Sequence, residues 1–339
     1  MNLLLEYFIF RWNDLFILSE DMYLNSEDKV KELKQQMKIS PEKISIYLEN
    51  FIRNYTNKLE RNGTILGLSG GIDSAVVASL CKRAVGSENT LALIMPEKDS
   101  EKEHIRDAVN FARELNIEFE LIDISKYIKS FGAYKLFTLN KLPLSKKLKR
   151  IFVRKAYDFY EKKTGKPPFL SSISGFEGKE FASYLKKTNA YYRIKHRIRM
   201  LLLYMYAELE NKLVVGAANK SEYKIGFFVK YGCDDNADIM PLLNLYKTQV
   251  RELAVYLNIP FRIIKKPPSP DIIPGITDEI ATGVPYEKLD LVLLALEKGW
   301  RNSRIAEVLE LEEKKIIYVK NLIEKSEHMR KVYVPEIFI

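Results

Sequence analysis

Thr64-Ile-Leu-Gly-Leu-Ser-Gly-Gly-Ile-Asp-Ser-Ala-Val-Val-Ala-Ser-Leu80 is the stretch from which the fold can be read. Thr64–Leu68 is a short apolar strand, and the residues from Ala75 to Ala84 read as a helix. Between them, Gly70-Gly71 lets backbone N–H groups approach an anion with no Cβ in the way. The start of the helix adds a partial positive charge at the same place. Ser69 and Ser74 offer hydroxyl donors. Asp73 is the odd member: a carboxylate beside an anion site repels unless it holds a cation, which makes it a candidate Mg²⁺ ligand. The loop is not a Walker A motif, since no Gly-Lys-Ser/Thr follows, and the chain contains no GxGxxG.

On either side of the loop, strand and helix alternate. Residues 40–63 read as a helix with Ser40 as N-cap, Pro41 in the first turn, and Ile44, Leu48, Phe51, Ile52, Tyr55 and Leu59 at helical spacing. Beyond the loop, a strand at Leu91–Met95 is followed by a helix over Glu101–Asn116 and a strand at Phe119–Asp123. Further on come a helix over Arg193–Glu210, a strand at Leu213–Val215 and a helix over Tyr246–Asn258. Apolar strands separated by helices predict an α/β fold, a doubly wound parallel sheet with its ligand loops at one edge. Two parts lie outside that rhythm: a helical insertion over 126–189 and a helical C-terminal region over 286–330.

The chain has 339 residues and a net charge of +9. That charge is local. Lys126 to Met200 holds 20 Lys/Arg against 4 Asp/Glu, a segment of +16, and the remainder sums to −7. Two cysteines, Cys81 and Cys233, are too few for a disulfide framework and suit a reducing compartment, so the cytoplasm is expected. The apolar start is broken by Glu6, Arg11 and Asp14, so residues 1–40 read as an amphipathic arm. Neither a signal peptide nor a membrane span is expected. The body is then 41–125 with 190–339, interrupted by 126–189.

The loop resembles that of the ATP-pyrophosphatase superfamily, whose members cleave ATP between its α and β phosphates. Downstream peptides narrow the resemblance: Gly216-Ala-Ala-Asn-Lys-Ser-Glu222, Gly226-Phe-Phe-Val-Lys-Tyr-Gly232, Ala237-Asp-Ile-Met-Pro241 and Lys247-Thr-Gln-Val250. Lys266-Pro-Pro-Ser-Pro-Asp271, Gly275-Ile-Thr-Asp-Glu279 and Gly283-Val-Pro-Tyr-Glu-Lys-Leu-Asp290 follow in order. With Lys195-His-Arg-Ile-Arg-Met200 before them and Ser326-Glu-His328 near the end, the set is similar to the ammonia-dependent NAD synthetases. The resemblance implies that Gly67, Leu68, Ser69, Gly70, Gly71, Ile72, Asp73 and Ser74 bind ATP, with contacts from Lys247 and Ser269. It implies Mg²⁺ on Asp73 and Glu222, and catalysis by Asp73, Glu222 and Lys247. Arg197, Lys230, Asp238 and His328 would face the second substrate, deamido-NAD. Expected chemistry is adenylation of a carboxylate with release of pyrophosphate, then amidation by ammonia, either free or from a separate glutaminase. A homodimer is implied as well. Without the resemblance, the lysines and arginines read as solvated charges, Glu222 as a helix cap, Asp238 as a turn residue and His328 as a surface histidine.

The departures gather on the acceptor side. There, where the family has Asn and Lys, this chain has Arg193 and Met329, and Cys233-Asp-Asp-Asn236 replaces a glycine-bearing turn; on the ATP side only the family's Thr, here Ala217, is changed. These changes leave open a paralogue acting on another carboxylate or on a tRNA base. The insertion interleaves Phe131, Tyr134, Phe137, Phe152, Tyr157, Phe159 and Tyr160 with Lys146, Lys147, Lys149, Arg150, Arg154 and Lys155. That composition suits RNA binding through 126–200. It suits equally an amphipathic layer with aromatic residues inside and lysines in water.

Overall fold

Ile65 and Leu66 are neighbours in sequence and belong to two different cores. In the computed structural model, residues 26–136, 145–176, 179–233, 235–267 and 277–336 are described. The early elements are α1 (Ser26–Met37), α2 (Pro41–Lys58), β1 (Thr64–Gly67), α3 (Ile72–Val85), β2 (Thr90–Ile94), α4 (Lys102–Leu115) and β3 (Glu118–Leu121). The basic segment supplies α5 (Ser125–Ser130), α6 (Lys146–Thr164), α7 (Pro168–Ser174) and the start of α8 (Lys179–Glu210). Then come β4 (Leu213–Val214), α9 (Lys220–Ile225), α10 (Lys247–Tyr256), α11 (Phe261–Ile264) and α12 (Asp278–Thr282). The chain continues through α13 (Tyr286–Glu297), α14 (Asn302–Val308) and α15 (Glu313–Lys325).

The strands pair in parallel in the order β3-β2-β1-β4. Successive strand side chains alternate between faces. Leu66, Ala92, Ile94 and Leu213 join one core with α2, α3, α4 and α10. Ile65, Leu91, Leu93 and Val214 join the other with Tyr191, Tyr192, Ile198 and Leu203 of α8. Both faces are covered at β1, β2 and β4, as their apolar residues require, while the edge strand β3 stays largely exposed. The order also fixes where a ligand can go. From β1 the chain moves outward to β2 and β3, then returns to add β4 on the far side of β1. The loops after β1 and β4 therefore diverge at a switch point.

Two helices differ from the sequence-based expectation. α3 begins at Ile72 rather than Ala75, because Gly71 takes the extended N-cap conformation and makes Ile72-Asp73-Ser74 the first turn. α8 begins at Lys179 rather than Arg193: residues 179–210 contain neither Gly nor Pro, so nothing stops the helix at the basic segment's end. Within that segment Tyr160 is buried, while Tyr134 and Tyr157 pack against the core. Phe131, Phe152 and Phe159 are exposed. Phe137 lies outside the described residues. Cys81 is buried, and burial pushes its thiol up to about 12.

Contacts divide the chain into two units: Ile39–Asp290 with Val319–Ile339, and Met1–Lys38 with Leu291–Tyr318. In the second, α1 packs on α14 and Leu33 and Ile305 are buried. The first 25 residues of the expected arm lie outside the described residues. Among the described residues, no helix is long and apolar enough to cross a membrane.

Candidate active site

The glycine loop is held by its own serines. Ser74 Oγ donates to the Gly71 carbonyl at 3.0 Å and accepts from the Ser69 N–H at 3.3 Å. The Gly71 N–H donates to Ser69 Oγ at 3.2 Å. Gly70 takes φ +79, and a Cβ there would meet the His104 carbonyl oxygen at 2.3 Å. Gly70→Ala is expected to cost about 2–3 kcal/mol from left-handed strain plus this clash. Urea denaturation measures it; a loss below about 0.5 kcal/mol would contradict the geometry.

Lys247 stands at the first position of α10, 2 % exposed. Its Nζ donates to Asp73 Oδ2 at 2.5 Å and to Glu222 Oε1 at 2.8 Å. Asp73 comes from the first turn of α3, after β1, and Glu222 from the first turn of α9, after β4, so the two carboxylates meet at the switch point. The cluster extends further. Asn219 caps α9 by accepting from the Glu222 N–H, and its amide donates to Asp73 Oδ1 at 3.0 Å. The Tyr286 hydroxyl lies 3.1 Å from both Glu222 Oε1 and Asp278 Oδ2. Behind Lys247, its backbone N–H donates to Ser221 Oγ, and Ser221 bonds in turn to Asp290. Lys266 donates to the Gly70 carbonyl at 3.1 Å and to Asp107 at 2.5 Å, which fixes a second cation against the loop.

Electrostatics follow from burial. Burial raises Glu222 from the usual 4.5 to about 7, against the lowering effect of Lys247 and with repulsion from Asp73 and Asp278 added. Asp278 is pushed up to about 6, again chiefly by burial. Burial opposes the Lys247 charge too, but Asp73 and then Glu222 outweigh it and hold the ammonium above its ordinary range. Between about pH 4.5 and 7 the folded protein thus binds more protons at Glu222 and Asp278 than the unfolded chain does. Metal-free stability should fall as pH rises through that window. Glu222→Gln is expected to flatten part of this slope in urea denaturation with EDTA; an unchanged slope would contradict it.

The donor set fits a divalent ion. Two carboxylates already converge on one cation, and Mg²⁺ commonly takes one or two carboxylates together with phosphate oxygens. Among the described residues no group of three or more His, Cys, Asp or Glu is arranged to hold a metal alone. A phosphate-bearing partner would therefore complete the coordination.

Loop and cluster open into one cavity of about 370 Å³. Gly67, Leu68, Ser69, Gly71, Ile72, Asp73, Ser74, Glu222 and Lys247 line it, as do Lys266 and Asp278. The basic segment builds another wall, with Tyr157, Phe169 and Phe176, joined by Tyr192, Arg193 and His196 of α8. The four acceptor candidates read from the sequence lie outside that lining. Arg197 donates to the Lys230 carbonyl, and Lys230 Nζ donates to the His328 and Lys331 carbonyls at 2.7 Å. These three therefore form one linked group. Asp238 is separate: it accepts from the Val214 N–H at 2.8 Å and the Tyr204 hydroxyl at 3.2 Å. Ser269 lies outside the described residues. Asn219, Lys266, Asp278 and Tyr286 were not singled out from sequence. All four lie in the quoted peptides, but no local pattern marks them as site residues.

The chain matches the NAD synthase family over residues 44–164 and 168–333, a span that takes in most of the basic segment. It is 42% identical to the NH(3)-dependent NAD(+) synthetase of Thermotoga maritima over 284 residues, 84% of this chain and 95% of that one. Identity to the NH(3)-dependent NAD(+) synthetase of Archaeoglobus fulgidus is 36% over 292 residues, 86% and 95% of the two chains. Among solved structures, an NMN synthetase from Francisella tularensis is similar with TM-score 0.65 and 29% identity, covering 89% of this chain and 100% of that one. An NH3-dependent NAD synthetase from Campylobacter jejuni gives 0.60 and 30% with the same coverage. A glycine loop and paired carboxylates at the sheet's switch point, in peptides that match over most of the chain, lead to one conclusion: the chain belongs to the NAD synthase family.

Proposed function

We propose that this chain is an ATP-dependent amide ligase that converts the carboxylate of deamido-NAD to the amide of NAD, with ammonia as nitrogen donor and AMP and pyrophosphate as products. The observation that carries the reading is the Asp73–Lys247–Glu222 cluster opening, with the glycine loop, into the aromatic-walled cavity. Loop N–H groups and Lys266 receive the polyphosphate, and Lys247 offers its ammonium to charge developing at the α-phosphate. Asp73 and Glu222 would hold Mg²⁺, whose chemistry is to neutralise the departing pyrophosphate. A carboxylate oxygen of the acceptor attacks the α-phosphorus, and the bond to the β-phosphate breaks. Ammonia then attacks the acyl carbon and expels AMP. The aromatic wall supports a planar ring next to the reacting carboxylate and keeps water from the adenylate.

A nicotinate mononucleotide is the second acceptor to weigh, since the chemistry is identical and the Francisella tularensis structure bears that kind of name. Purified protein with ATP, Mg²⁺, ammonium and each acceptor tests the reading. Amide product with equal AMP and pyrophosphate is expected; ADP and orthophosphate, or no amide from either acceptor, would overturn it. The same reading makes the protein a cytoplasmic homodimer, to be measured by light scattering. RNA binding through 126–200 is the weaker reading, because Tyr134, Tyr157 and Tyr160 are turned to the interior.

A further inference from the structure

Among the described residues, Arg193 is a cation with no carboxylate partner. It lines the cavity from α8, and its Nη2 donates to the Ser172 carbonyl at 2.9 Å. Among the described residues no Asp or Glu lies within ion-pairing distance of it. Burial, and then repulsion from Arg197, push its guanidinium below the usual arginine range. A partly desolvated guanidinium with one backbone acceptor leaves several N–H donors to satisfy, a costly arrangement unless a ligand completes it. A second observation points the same way. Thr188 Oγ1, one turn and a residue earlier on α8, is buried without a hydrogen-bond partner and also lines the cavity. Thr188, Asn189, Tyr192, Arg193 and His196 recur at helical spacing along one cavity-facing stripe. Around them stand Phe169 and Phe227, edge to face at 5.1 Å, with Tyr157 and Phe176.

On the proposed function, the acceptor's carboxylate must react beside the glycine loop and Lys247. Arg193 instead lines the wall built by the basic segment, held on the Ser172 carbonyl beside Thr188, so the anion assigned to it is a different one on the same molecule. We propose that Arg193, with Thr188, recognises the phosphate on the nicotinate ribonucleotide half of the acceptor. That half is common to the dinucleotide and the mononucleotide, so the assignment holds for either acceptor. A planar guanidinium suits two phosphate oxygens at once, and the threonine hydroxyl supplies a further donor. The basic segment then acts as the acceptor wall of the active site: α6 and α7 bring the aromatic side chains and Ser172, and α8 brings the cation.

The test is equilibrium binding by calorimetry with three probes: deamido-NAD, nicotinate mononucleotide and nicotinate riboside, which lacks the phosphate. Wild-type protein should bind both nucleotides about tenfold to a hundredfold more tightly than the riboside. Arg193→Gln should erase that gap, and Arg193→Lys should keep part of it. KM for ATP should stay within about twofold in both variants. A purely structural role at the end of α7 would weaken all three probes equally. A gap that survives Arg193→Gln, or no gap in the wild type, would overturn the proposal; Arg193→Lys decides the case if the Gln variant does not fold. Wild-type turnover, read separately, reports on the reaction itself, so loss of one reading is distinguishable from loss of the other.

Discussion

Asp73→Asn is expected to lower turnover by about a thousandfold while the protein stays folded. Asp73 receives two donors, the Lys247 ammonium and the Asn219 amide, and its side chain remains partly exposed toward the cavity. The amide keeps the shape and can still accept from Asn219. It loses the negative charge that steadies Lys247 and would hold a divalent ion beside the phosphates. Lys247 retains Glu222, so no buried cation is stranded and the melting temperature should move by only a few degrees. Stopped assays for pyrophosphate, together with thermal melts, check both halves. A variant retaining more than about a tenth of wild-type turnover would contradict the role given to Asp73.

Lys247→Met has the second large effect, and it acts on stability as well as on rate. Removing the ammonium leaves Asp73, Glu222 and Asp278 facing one another around an apolar side chain. Breaking a buried ion pair by deleting one partner costs about 3–5 kcal/mol. Here the cost should depend on pH. Glu222 is already raised to about 7, and loss of Lys247 raises it further, so the variant takes up a proton and recovers part of the loss in mild acid. Urea denaturation should find the variant weaker at about pH 8 than at about pH 5.5, relative to wild type. The double variant Lys247→Met with Glu222→Gln should regain stability but not activity. Equal destabilisation at both pH values would show that the ion pairs are not what Lys247 contributes.

The parts of this site legible in sequence are those whose meaning is local. Ser69–Ser74 declares a strand, a glycine turn and a helix within a few residues, because the backbone approach to an anion needs glycine at that point. Glu222 and Lys247 were legible from family-like peptides, and they converge on Asp73 because the strand order brings the ends of β1 and β4 together. Tyr286, Asp278 and Asn219 were not legible as site residues. Their roles depend on α12, the start of α13 and the loop before α9 folding back on the same point, which no local pattern announces. The basic segment was legible as helical and cationic. Its position was not, since only tertiary contact reveals that Tyr157, Phe169 and Arg193 look into the cavity. Asp238 carries a contact that its peptide did not announce: its carboxylate accepts from the Val214 backbone, which ties it to the end of β4.

On the proposed function, a carboxylate oxygen of the acceptor attacks the α-phosphorus of ATP. That attack is tested most directly by supplying the acceptor with its carboxylate oxygens labelled with ¹⁸O and analysing the products by mass spectrometry. Adenylation followed by amidation transfers one labelled oxygen to AMP and leaves the other in the new amide. One ¹⁸O per AMP formed is the expected result. Label in orthophosphate or pyrophosphate, or unlabelled AMP beside amide product, would contradict the account.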